Sequence, residues 1–311
     1  MRDKGNVGIW EKVPWPTNKN TKFEACVIFS LFKKTMYLKP MKPTLIVLTG
    51  AASGIGRALF SSFSQRQIPM ILLDLEEEKL KKMAEGLSFV EWVAGSVAEP
   101  STWGIVLEKG SKSGFMISHL INCAGVIRPG FLEDFALEDI DFHLDCNTKG
   151  SILGTTLVGR LMNKQRGGHI INISSLAGLA PVSGLSLYAA SKFAIRGFSL
   201  SIAAELKKYG VWVTVICPDL VNTPMLDLQL DYPEEAKLTF SGPRQVLQPE
   251  DVVKVIDQVM NRPRAQVCIP ETRGLLAKIA GAWPAVGEWF RKSLEKKGAK
   301  ELKKRTTTPP N

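Results

Sequence analysis

Short runs of apolar and β-branched residues alternate with longer amphipathic stretches over most of this chain. The runs contain almost no polar positions, which is typical of strands buried on both faces of a parallel sheet. The predicted strands are Thr44–Leu48, Met70–Leu73, Phe89–Ala94, Ile117–Asn122, His169–Ile173, Trp212–Ile216 and Gln266–Ile269. Helical patterns lie between them, at about residues 54–67, 76–86, 136–164, 187–208 and 249–261.

The regular alternation of strand and helix indicates repeated β-α-β units, and therefore an α/β fold with a doubly wound parallel sheet. We predict one such domain over residues 43–271. A basic N-terminal extension is expected over residues 1–42, and an amphipathic, basic C-terminal extension over residues 272–311. Met41 stands directly before the first strand, so the pattern leaves open whether residues 1–40 belong to the native protein.

Composition and charge narrow the classes of protein that fit. With 45% apolar and 23% charged residues among 311, the chain is of ordinary globular composition, which excludes a disordered, collagen-like or coiled-coil protein. The net charge of +10 is concentrated in residues 1–42 and 291–311, which carry +6 each, so the remainder carries −2. A domain without a basic face is not expected to bind nucleic acid. The basic ends fit either contact with an anionic lipid surface or solvated tails.

The cellular location and the redox state of the cysteines are predicted from features that the sequence lacks. No apolar run reaches the about 18 residues that a membrane-spanning helix needs, and the first 20 residues lack the apolar region of a secretory signal. The cysteines are odd in number and scattered, which favours reduced thiols and a cytoplasmic location: Cys26, Cys123, Cys146, Cys217 and Cys268. Three histidines without ligand-like spacing predict no metal site.

A glycine-rich turn follows the first predicted strand and opens directly into a helix, with the sequence Thr49-Gly50-Ala51-Ala52-Ser53-Gly54-Ile55-Gly56. Glycines here allow a tight turn, a close approach of the backbone to a pyrophosphate, and close packing of helix on strand. The free amides and positive end of the helix then favour the phosphates. Such a turn alone is often only a turn, but the order of strand, turn and helix favours a dinucleotide site.

An acidic residue, Asp74, ends the second predicted strand, 24 residues after Gly50. A carboxylate at about this spacing binds the adenosine ribose hydroxyls and repels a 2′-phosphate. Ser53, Leu75 and Glu76 supply no positive charge beside it. We therefore expect NAD rather than NADP. A helix-capping role for Asp74 is the competing interpretation, and the two roles are compatible.

Tyr188 and Lys192 stand four residues apart at the start of a predicted helix, so they share one helix face. A tyrosine ordinarily ionises at about pH 10, and a nearby ammonium stabilises the phenolate, so we expect Lys192 to bring the Tyr188 pKa toward neutrality. Ser175 follows the strand His169–Ile173, whose carboxyl end faces the same crevice as the glycine turn. Ser175 is thus placed to hydrogen-bond a substrate carbonyl or hydroxyl. The alternative for the Tyr-Lys pair is a solvated helix face.

Taken in order, these motifs resemble those of the short-chain dehydrogenase/reductase family, in the subtype with chains of about 250 residues. The resemblance covers residues 43–270. It rests on Thr49-Gly50-x-x-x-Gly54-x-Gly56, Asn122-Cys123-Ala124-Gly125, Asn147, Ser175, Tyr188, Lys192, Cys217-Pro218 and Thr223. It implies a Rossmann fold and a metal-free oxidoreductase that passes hydride directly between a nicotinamide and its substrate.

The resemblance implies a role for each matching residue. Tyr188 would be the general acid/base, Lys192 would lower its pKa and hold the nicotinamide ribose, and Ser175 would orient the reacting carbonyl or alcohol. Asn147 would help to hold a water for proton relay. The cofactor is expected to contact Gly50, Ser53, Gly54, Ile55, Gly56, Asp74, Ser96, Asn122, Ala124, Gly125, Tyr188, Lys192, Pro218 and Thr223.

Two positions depart from the family pattern. The strand ending at Ala94 is followed by Gly95-Ser96-Val97 instead of an Asp that reads the adenine, so Ser96 would hydrogen-bond with less selectivity. After the sixth strand the usual Pro-Gly is Pro218-Asp219, which would alter the loop over the nicotinamide. Neither departure touches the predicted catalytic residues.

Substrate specificity is expected in the segment from Thr223 to Leu247. It mixes acids with apolar residues, namely Met225, Leu226, Leu228, Leu230, Tyr232, Leu238 and Phe240. Apolar residues on such a loop suggest a lid over an apolar substrate, and a partly packed surface loop is the alternative.

An apolar stripe at helical spacing follows the last strand, on a helix broken by Pro284: Leu276, Ile279, Trp283, Val286 and Phe290. Trp289 adds to it, and a basic run follows over residues 291–305. One interpretation is a peripheral membrane contact through residues 272–305. The other is packing on the enzyme's own surface or on a second subunit, in keeping with an expected homo-oligomer.

The sequence favours an NAD-dependent alcohol dehydrogenase or ketone reductase for a lipophilic small molecule, with lipid metabolism as its setting. One alternative is a non-catalytic protein that keeps the nucleotide cleft for structure or sensing, against which the intact set of Asn147, Ser175, Tyr188 and Lys192 speaks. The other is an epimerase or dehydratase on the same fold, which would need a substrate site that the sequence does not reveal.

Overall fold

Seven strands form the centre of the computed structural model, which describes residues 43–242 and 246–307. They are β1 (Thr44–Thr49), β2 (Met70–Asp74), β3 (Val90–Ala94), β4 (Met116–Asn122), β5 (Gly168–Ile173), β6 (Val211–Pro218) and β7 (Gln266–Ile269). Neighbouring strands are parallel, in the order β3-β2-β1-β4-β5-β6-β7. This confirms the doubly wound sheet predicted from the apolar runs. The predicted extension over residues 1–42 lies outside the described residues.

The helices are α1 (Gly54–Gln65), α2 (Glu77–Ala84), α3 (Pro100–Lys112), α4 (Glu138–His143), α5 (Ser151–Gln165), α6 (Ser186–Leu206), α7 (Pro224–Leu230), α8 (Pro249–Asn261), α9 (Glu271–Ala282) and α10 (Pro284–Thr307). Short 3₁₀ turns lie at Leu176–Gly178, Lys207–Tyr209 and Thr239–Ser241. The sequence pattern predicted neither α3 nor α7. Pro284 separates α9 from α10, as predicted.

The helical stretch predicted over residues 136–164 is present, and a π-helical segment, Leu144–Gly150, joins α4 directly to α5 within it. The Asn147 side chain within this segment both donates a hydrogen bond to the loop after β4 and accepts one from it. Its Nδ2 donates to the Val126 carbonyl at 2.9 Å, and its Oδ1 accepts from the Val126 amide at 2.7 Å. π-Helical turns of this kind are frequent at functional sites.

Buried side chains on both faces of the sheet hold the helices in place. On one face, Leu59 and Phe63 of α1 pack with Ile256 of α8. On the other, Trp103 of α3 packs with Val158 of α5, and the Trp103 Nε1 donates to the Val97 carbonyl at 2.8 Å. Each such side chain stabilises the fold by about 1.5–3 kcal/mol.

The strand order reverses direction between β1 and β4, so the connections from these two strands leave toward opposite faces. A crevice therefore opens at their carboxyl ends, which is where ligands bind in open α/β sheets. The glycine-rich turn follows β1 at this point.

Two histidines lie side by side in the sheet, His169 buried and His119 half-buried. His119 of β4 and His169 of β5 are register partners, and their ring centroids lie 5.8 Å apart. His169 Nε2 shares a hydrogen bond of 2.7 Å with the Thr214 hydroxyl. Burial lowers the pKa of His119 to about 4 and that of His169 to about 3, so both rings are neutral at pH 7.

Acid should therefore destabilise the protein in a defined pH range. The unfolded state binds protons at these histidines below about pH 6.5 and the folded state does not, so the free energy of unfolding falls as the pH decreases. We expect a loss of about 3–4 kcal/mol between pH 7 and pH 5 from this pair. Urea unfolding at both pH values measures it. The double variant His119→Gln, His169→Gln should show a clearly weaker dependence, and an equal dependence would contradict this origin.

The predicted C-terminal extension consists of α9 and α10, which pack on the same compact unit as the sheet. Gly274 of α9 lies against Cys268 of β7, and Gly298 of α10 lies so close to the Lys237 carbonyl that a Cβ would overlap it. Leu302 is buried with Phe240. Among the described helices, none combines the length and apolar character required to cross a bilayer.

Candidate active site

A cavity of about 1820 Å³ lies at the carboxyl ends of the strands. Its walls come from the glycine turn, the ends of β2 to β6, the start of α6, residues 223–241, and the two C-terminal helices. It brings together most of the predicted site residues, namely Gly50, Ser53, Gly54, Ile55, Asp74, Ser96, Ala124, Gly125, Ser175, Tyr188, Lys192, Pro218 and Thr223.

The glycine turn packs so closely against neighbouring backbone that side chains would not fit at two of its glycines. Gly50 has φ +65°, and a Cβ on it would lie 2.7 Å from the Ala124 backbone nitrogen. A Cβ on Gly56 would overlap the Gly50 carbonyl, so α1 can pack on the turn only with glycine there. The Thr49 hydroxyl accepts from the Cys123 and Ala124 amides at 3.0 and 3.1 Å, which joins this turn to the end of β4. A shallow cradle at a helix N-terminus fits a pyrophosphate.

Asp74 connects the end of β2 to the glycine turn. Its Oδ2 accepts from the Ala52 amide at 2.9 Å, and its Oδ1 accepts from the Leu75 and Glu76 amides at 2.7 and 3.2 Å. The carboxylate thus organises the backbone just before α2 and also lines the cavity. It does not cap α2, whose N-cap residue is Glu76, so the capping interpretation is wrong.

Tyr188, Lys192 and Ser175 line the same cavity as the glycine turn. Tyr188 and Lys192 come from the first turns of α6, and each is less than a tenth exposed. The Lys192 Nζ donates to the Ile173 carbonyl at 3.1 Å and lies 5.5 Å from the centre of the Tyr188 ring. The Ser175 hydroxyl, just beyond β5, interacts with the Tyr188 phenol.

The Tyr188 pKa differs from the prediction. Burial raises the pKa of Tyr188 to about 12, and the Ser175 hydrogen bond opposes this only in part. Burial also lowers the pKa of Lys192. The expected decrease in the Tyr188 pKa is therefore wrong for this arrangement, because the ammonium bonds a backbone carbonyl rather than the phenol. A phenol that stays protonated at pH 7 is suited to donating a proton.

Asn122 and Asn147 do not line the cavity, although both lie next to it. Asn122 is buried behind β4, where its Nδ2 donates to the Asn172 Oδ1 at 2.8 Å. The prediction that Asn122 lines the cofactor cleft is therefore wrong for its side chain. Asn147 bonds Val126, as described above, and its Nδ2 also donates to the Ser191 hydroxyl at 2.9 Å. It thereby holds the helix that carries Tyr188 against the loop after β4.

Asp219, which stands where the family pattern has a glycine, forms an ion pair that the sequence did not reveal. Asp219 Oδ2 accepts from Arg273 Nε at 2.8 Å, which ties the loop after β6 to α9. Both side chains line the cavity, and the carboxylate is the more buried of the two. An ion pair thus stands where the family pattern has a glycine.

The C-terminal helices form part of the cavity wall, which sequence reasoning missed. Apolar residues of both helices line it, among them Leu276, Ala277, Ile279, Phe290 and Leu294. The apolar stripe was the sequence signal for a buried or binding helix face, but its spacing does not show that the face reaches the cavity. Residues 223–241 contribute Met225, Leu228 and Leu238 to the cavity while Phe240 is buried beneath them. The segment therefore packs in part on the protein and lines the cavity in part, and its role as a lid over a substrate stays a prediction.

The four described cysteines are free thiols, as predicted. Cys217 and Cys268 are buried register partners on β6 and β7. Burial raises the pKa of Cys123 to about 12 and also raises that of Cys146. Protonated thiols at these two positions are poor nucleophiles, so the chemistry of the cavity rests on its other side chains.

Comparison with known proteins agrees with this geometry. A family model described as short chain dehydrogenase matches residues 44–231, more than half of the chain. The chain belongs to the short chain dehydrogenase family. As a short chain dehydrogenase with the nucleotide cradle in place, it is an NAD(P)-dependent oxidoreductase.

Relatives and solved structures extend this result. The chain is 34% identical over 214 residues to the 3-oxoacyl-[acyl-carrier-protein] reductase FabG of Thermotoga maritima, covering 68% of this chain and 87% of the reductase. It is 34% identical over 182 residues to a 3-alpha-(or 20-beta)-hydroxysteroid dehydrogenase of Mycobacterium tuberculosis, covering 58% and 70%. The closed form of a serine dehydrogenase complexed with NADP+ is similar in structure, with a TM-score of 0.66 and 27% identity over 72% of this chain and 93% of that one.

Proposed function

We propose that this short chain dehydrogenase is an NAD-dependent alcohol dehydrogenase or ketone reductase that acts on an apolar small molecule. The observation that carries the proposal is that Ser175, Tyr188 and Lys192 line one cavity together with the glycine turn. A proton donor, a hydrogen-bond donor and a cation beside a nucleotide cradle are what carbonyl reduction needs.

Tyr188 acts as the general acid in carbonyl reduction. When bound, a reduced nicotinamide supplies the hydride that the carbonyl carbon receives. The Tyr188 phenol gives its proton to the carbonyl oxygen, and its pKa of about 12 keeps that proton in place at neutral pH until it is needed. The Ser175 hydroxyl donates to the same oxygen and holds the carbonyl beside the phenol. In alcohol oxidation the proton moves in the opposite direction.

Lys192 is a buried cation beside Tyr188. Its ammonium lies 5.5 Å from the centre of the Tyr188 ring and donates to the Ile173 carbonyl. There it would hold the ribose hydroxyls of a bound nicotinamide nucleotide, and it would have to leave the Ile173 carbonyl to stabilise a Tyr188 phenolate. Asn147 acts as a positioning residue, since it fixes α6 through Ser191 and the loop through Val126.

The charges around Asp74 favour NAD over NADP. Asp74 and Glu99 line this end of the cavity with Leu75 and Ser96, and the described residues there include no Lys or Arg. A 2′-phosphate would meet a carboxylate without a compensating cation, whereas ribose hydroxyls can donate to that carboxylate. The NADP-bound serine dehydrogenase above belongs to the same fold, so the preference rests on these side chains alone.

The substrate is proposed to be apolar because most side chains on the substrate side are apolar. Met225, Leu228, Leu276, Ile279 and Phe290 line this part of the cavity. Two relatives are named for 3-oxoacyl and hydroxysteroid substrates, which fits the same class.

The experiment is a rate measurement with NADH and NADPH against a panel of carbonyl compounds. The panel contains 3-oxoacyl thioesters, keto-steroids, long-chain aldehydes and small polar keto acids. We expect turnover with NADH on at least one apolar class, and slower turnover with NADPH. Turnover confined to polar keto acids would overturn the substrate proposal, and equal rates with both nucleotides would overturn the cofactor proposal.

A further inference from the structure

The two C-terminal helices leave a continuous apolar surface on the outside of the protein. On α9, Gly274 and Gly281 face the protein body, against Cys268 and the Leu179 carbonyl. The opposite side of α9 carries Leu275, Leu276, Ile279 and Trp283, which are 60%, 61%, 37% and 62% exposed. The predicted packing of this stripe on the enzyme's own surface is therefore not what the described residues show.

The surface continues onto α10 and there becomes basic. Trp289 is 80% exposed and lies on the side away from Gly298 and Leu302, which face the protein body. Residues 3, 7, 11 and 14 positions beyond Trp289 share its face of the helix. All four are exposed lysines, namely Lys292, Lys296, Lys300 and Lys303.

Arginines bond the acids of α10. Glu288 and Glu295 lie four residues before and three residues after Lys292, on its side of the helix, and both bond Arg291. Glu301 pairs with Arg305 and is largely covered. The exposed face thus presents one tryptophan and four cations, next to the apolar face of α9.

We propose that Leu275, Trp283 and Trp289, together with this lysine row, form a docking face for the surface of an anionic phospholipid bilayer. Amphipathic helices bind bilayers in this way, with apolar and aromatic side chains in the headgroup region and Lys or Arg beside the anionic lipids. Tryptophan is enriched at this depth because its ring is amphipathic. A second copy of the chain would instead place two rows of like charge near each other, which costs free energy.

The position of the docking face relative to the cavity supports the same occupant. Leu276, Ile279 and Phe290 are exposed and also line the cavity. The apolar surface of α9 therefore reaches from the outside of the protein to the cavity. A bilayer bound here would lie at the cavity mouth, where an apolar molecule could pass between the two without crossing water.

Sedimentation of the full chain with vesicles tests the proposal without any assay of activity. The vesicles are phosphatidylcholine alone or phosphatidylcholine with phosphatidylglycerol. We expect binding to the anionic vesicles, weaker binding to the neutral ones, and release as the salt concentration rises. The triple variant Leu275→Ser, Trp283→Ser, Trp289→Ser should bind anionic vesicles at least about tenfold more weakly. The variant Lys292→Glu, Lys296→Glu, Lys300→Glu should do the same.

Matched controls change equivalent residues elsewhere. Ile105→Ser with Trp212→Ser alters exposed apolar residues, and Lys164→Glu with Lys207→Glu and Lys208→Glu alters exposed lysines, all outside the cavity and the C-terminal helices. These controls should bind as the unmodified chain does. Thermal unfolding of each variant shows whether it is folded.

Three outcomes would overturn the proposal. The first is that the full chain does not bind anionic vesicles. The second is that the folded docking variants bind as well as their controls, which would assign the binding to another part of the chain, such as residues 1–42. The third is that the docking variants alter only the oligomer seen by analytical ultracentrifugation, which would assign the face to a second copy.

Discussion

Replacing Tyr188 with Phe should lower kcat for carbonyl reduction by about a hundredfold to ten-thousandfold, with the fold and NADH binding unchanged. The substitution removes the proton donor and keeps the ring that packs with Ile127 and Leu185. Because the phenol gives its proton only during the chemical step, the loss should appear in kcat rather than in the affinity for NADH. Initial rates and NADH fluorescence titration separate the two quantities.

Tyr209→Phe is the matched control, since Tyr209 lies in the 3₁₀ turn after α6 and does not line the cavity. It should leave kcat within about twofold of the unmodified enzyme. If Tyr188→Phe retained most of its activity while folded, another group would be the proton donor and the proposed mechanism would fail.

Replacing Asp74 with Ser and Leu75 with Arg should reverse the cofactor preference, changing the ratio of kcat/KM for NADPH over NADH by about a hundredfold or more. The change removes the carboxylate that a 2′-phosphate would meet and adds a guanidinium beside it. Leu75 is 72% exposed and lines the cavity, so an arginine at this position needs no repacking of the core.

The structure shows a second effect of this double substitution, which the sequence alone could not predict. Asp74 accepts hydrogen bonds from the Ala52, Leu75 and Glu76 amides, so its removal also loosens the glycine turn. We therefore expect the affinity for NADH to fall further than loss of the ribose bonds would require. Leu132→Arg is the control, because Leu132 is 83% exposed and outside the cavity. A preference unchanged by the double substitution would show that Asp74 does not select the cofactor.

The sheet could be predicted from the sequence because its strands are apolar on both faces, and the observed bounds lie within two residues of the predicted ones. Helix α3 was missed since Gly104 and Gly110 interrupt its pattern, and its place depends on Trp103 packing behind the sheet. The π-helical segment could not be predicted, because it depends on bonds between Asn147 and Val126, 21 residues away in the chain.

The candidate site was predictable as a set of residues and only in part as chemistry. The glycine turn, Ser175, Tyr188 and Lys192 meet at the cavity because they follow the carboxyl ends of parallel strands. The Tyr188 pKa depends on burial and on where the Lys192 ammonium points, which spacing along a helix does not determine. The Asp219–Arg273 ion pair joins residues 54 positions apart, so no local sequence pattern predicts it.

Tracing a deuterium atom tests the central claim most directly. NADH that carries deuterium at C4 of the nicotinamide is incubated with the enzyme and the best carbonyl compound of the panel, and the alcohol is examined by mass spectrometry. If this chain performs hydride transfer at the Tyr188 site, the deuterium appears on the former carbonyl carbon, and the Tyr188→Phe variant forms the labelled alcohol far more slowly. If no substrate acquires the label, or if Tyr188→Phe forms the labelled alcohol at the full rate, the proposed reaction does not take place at this site.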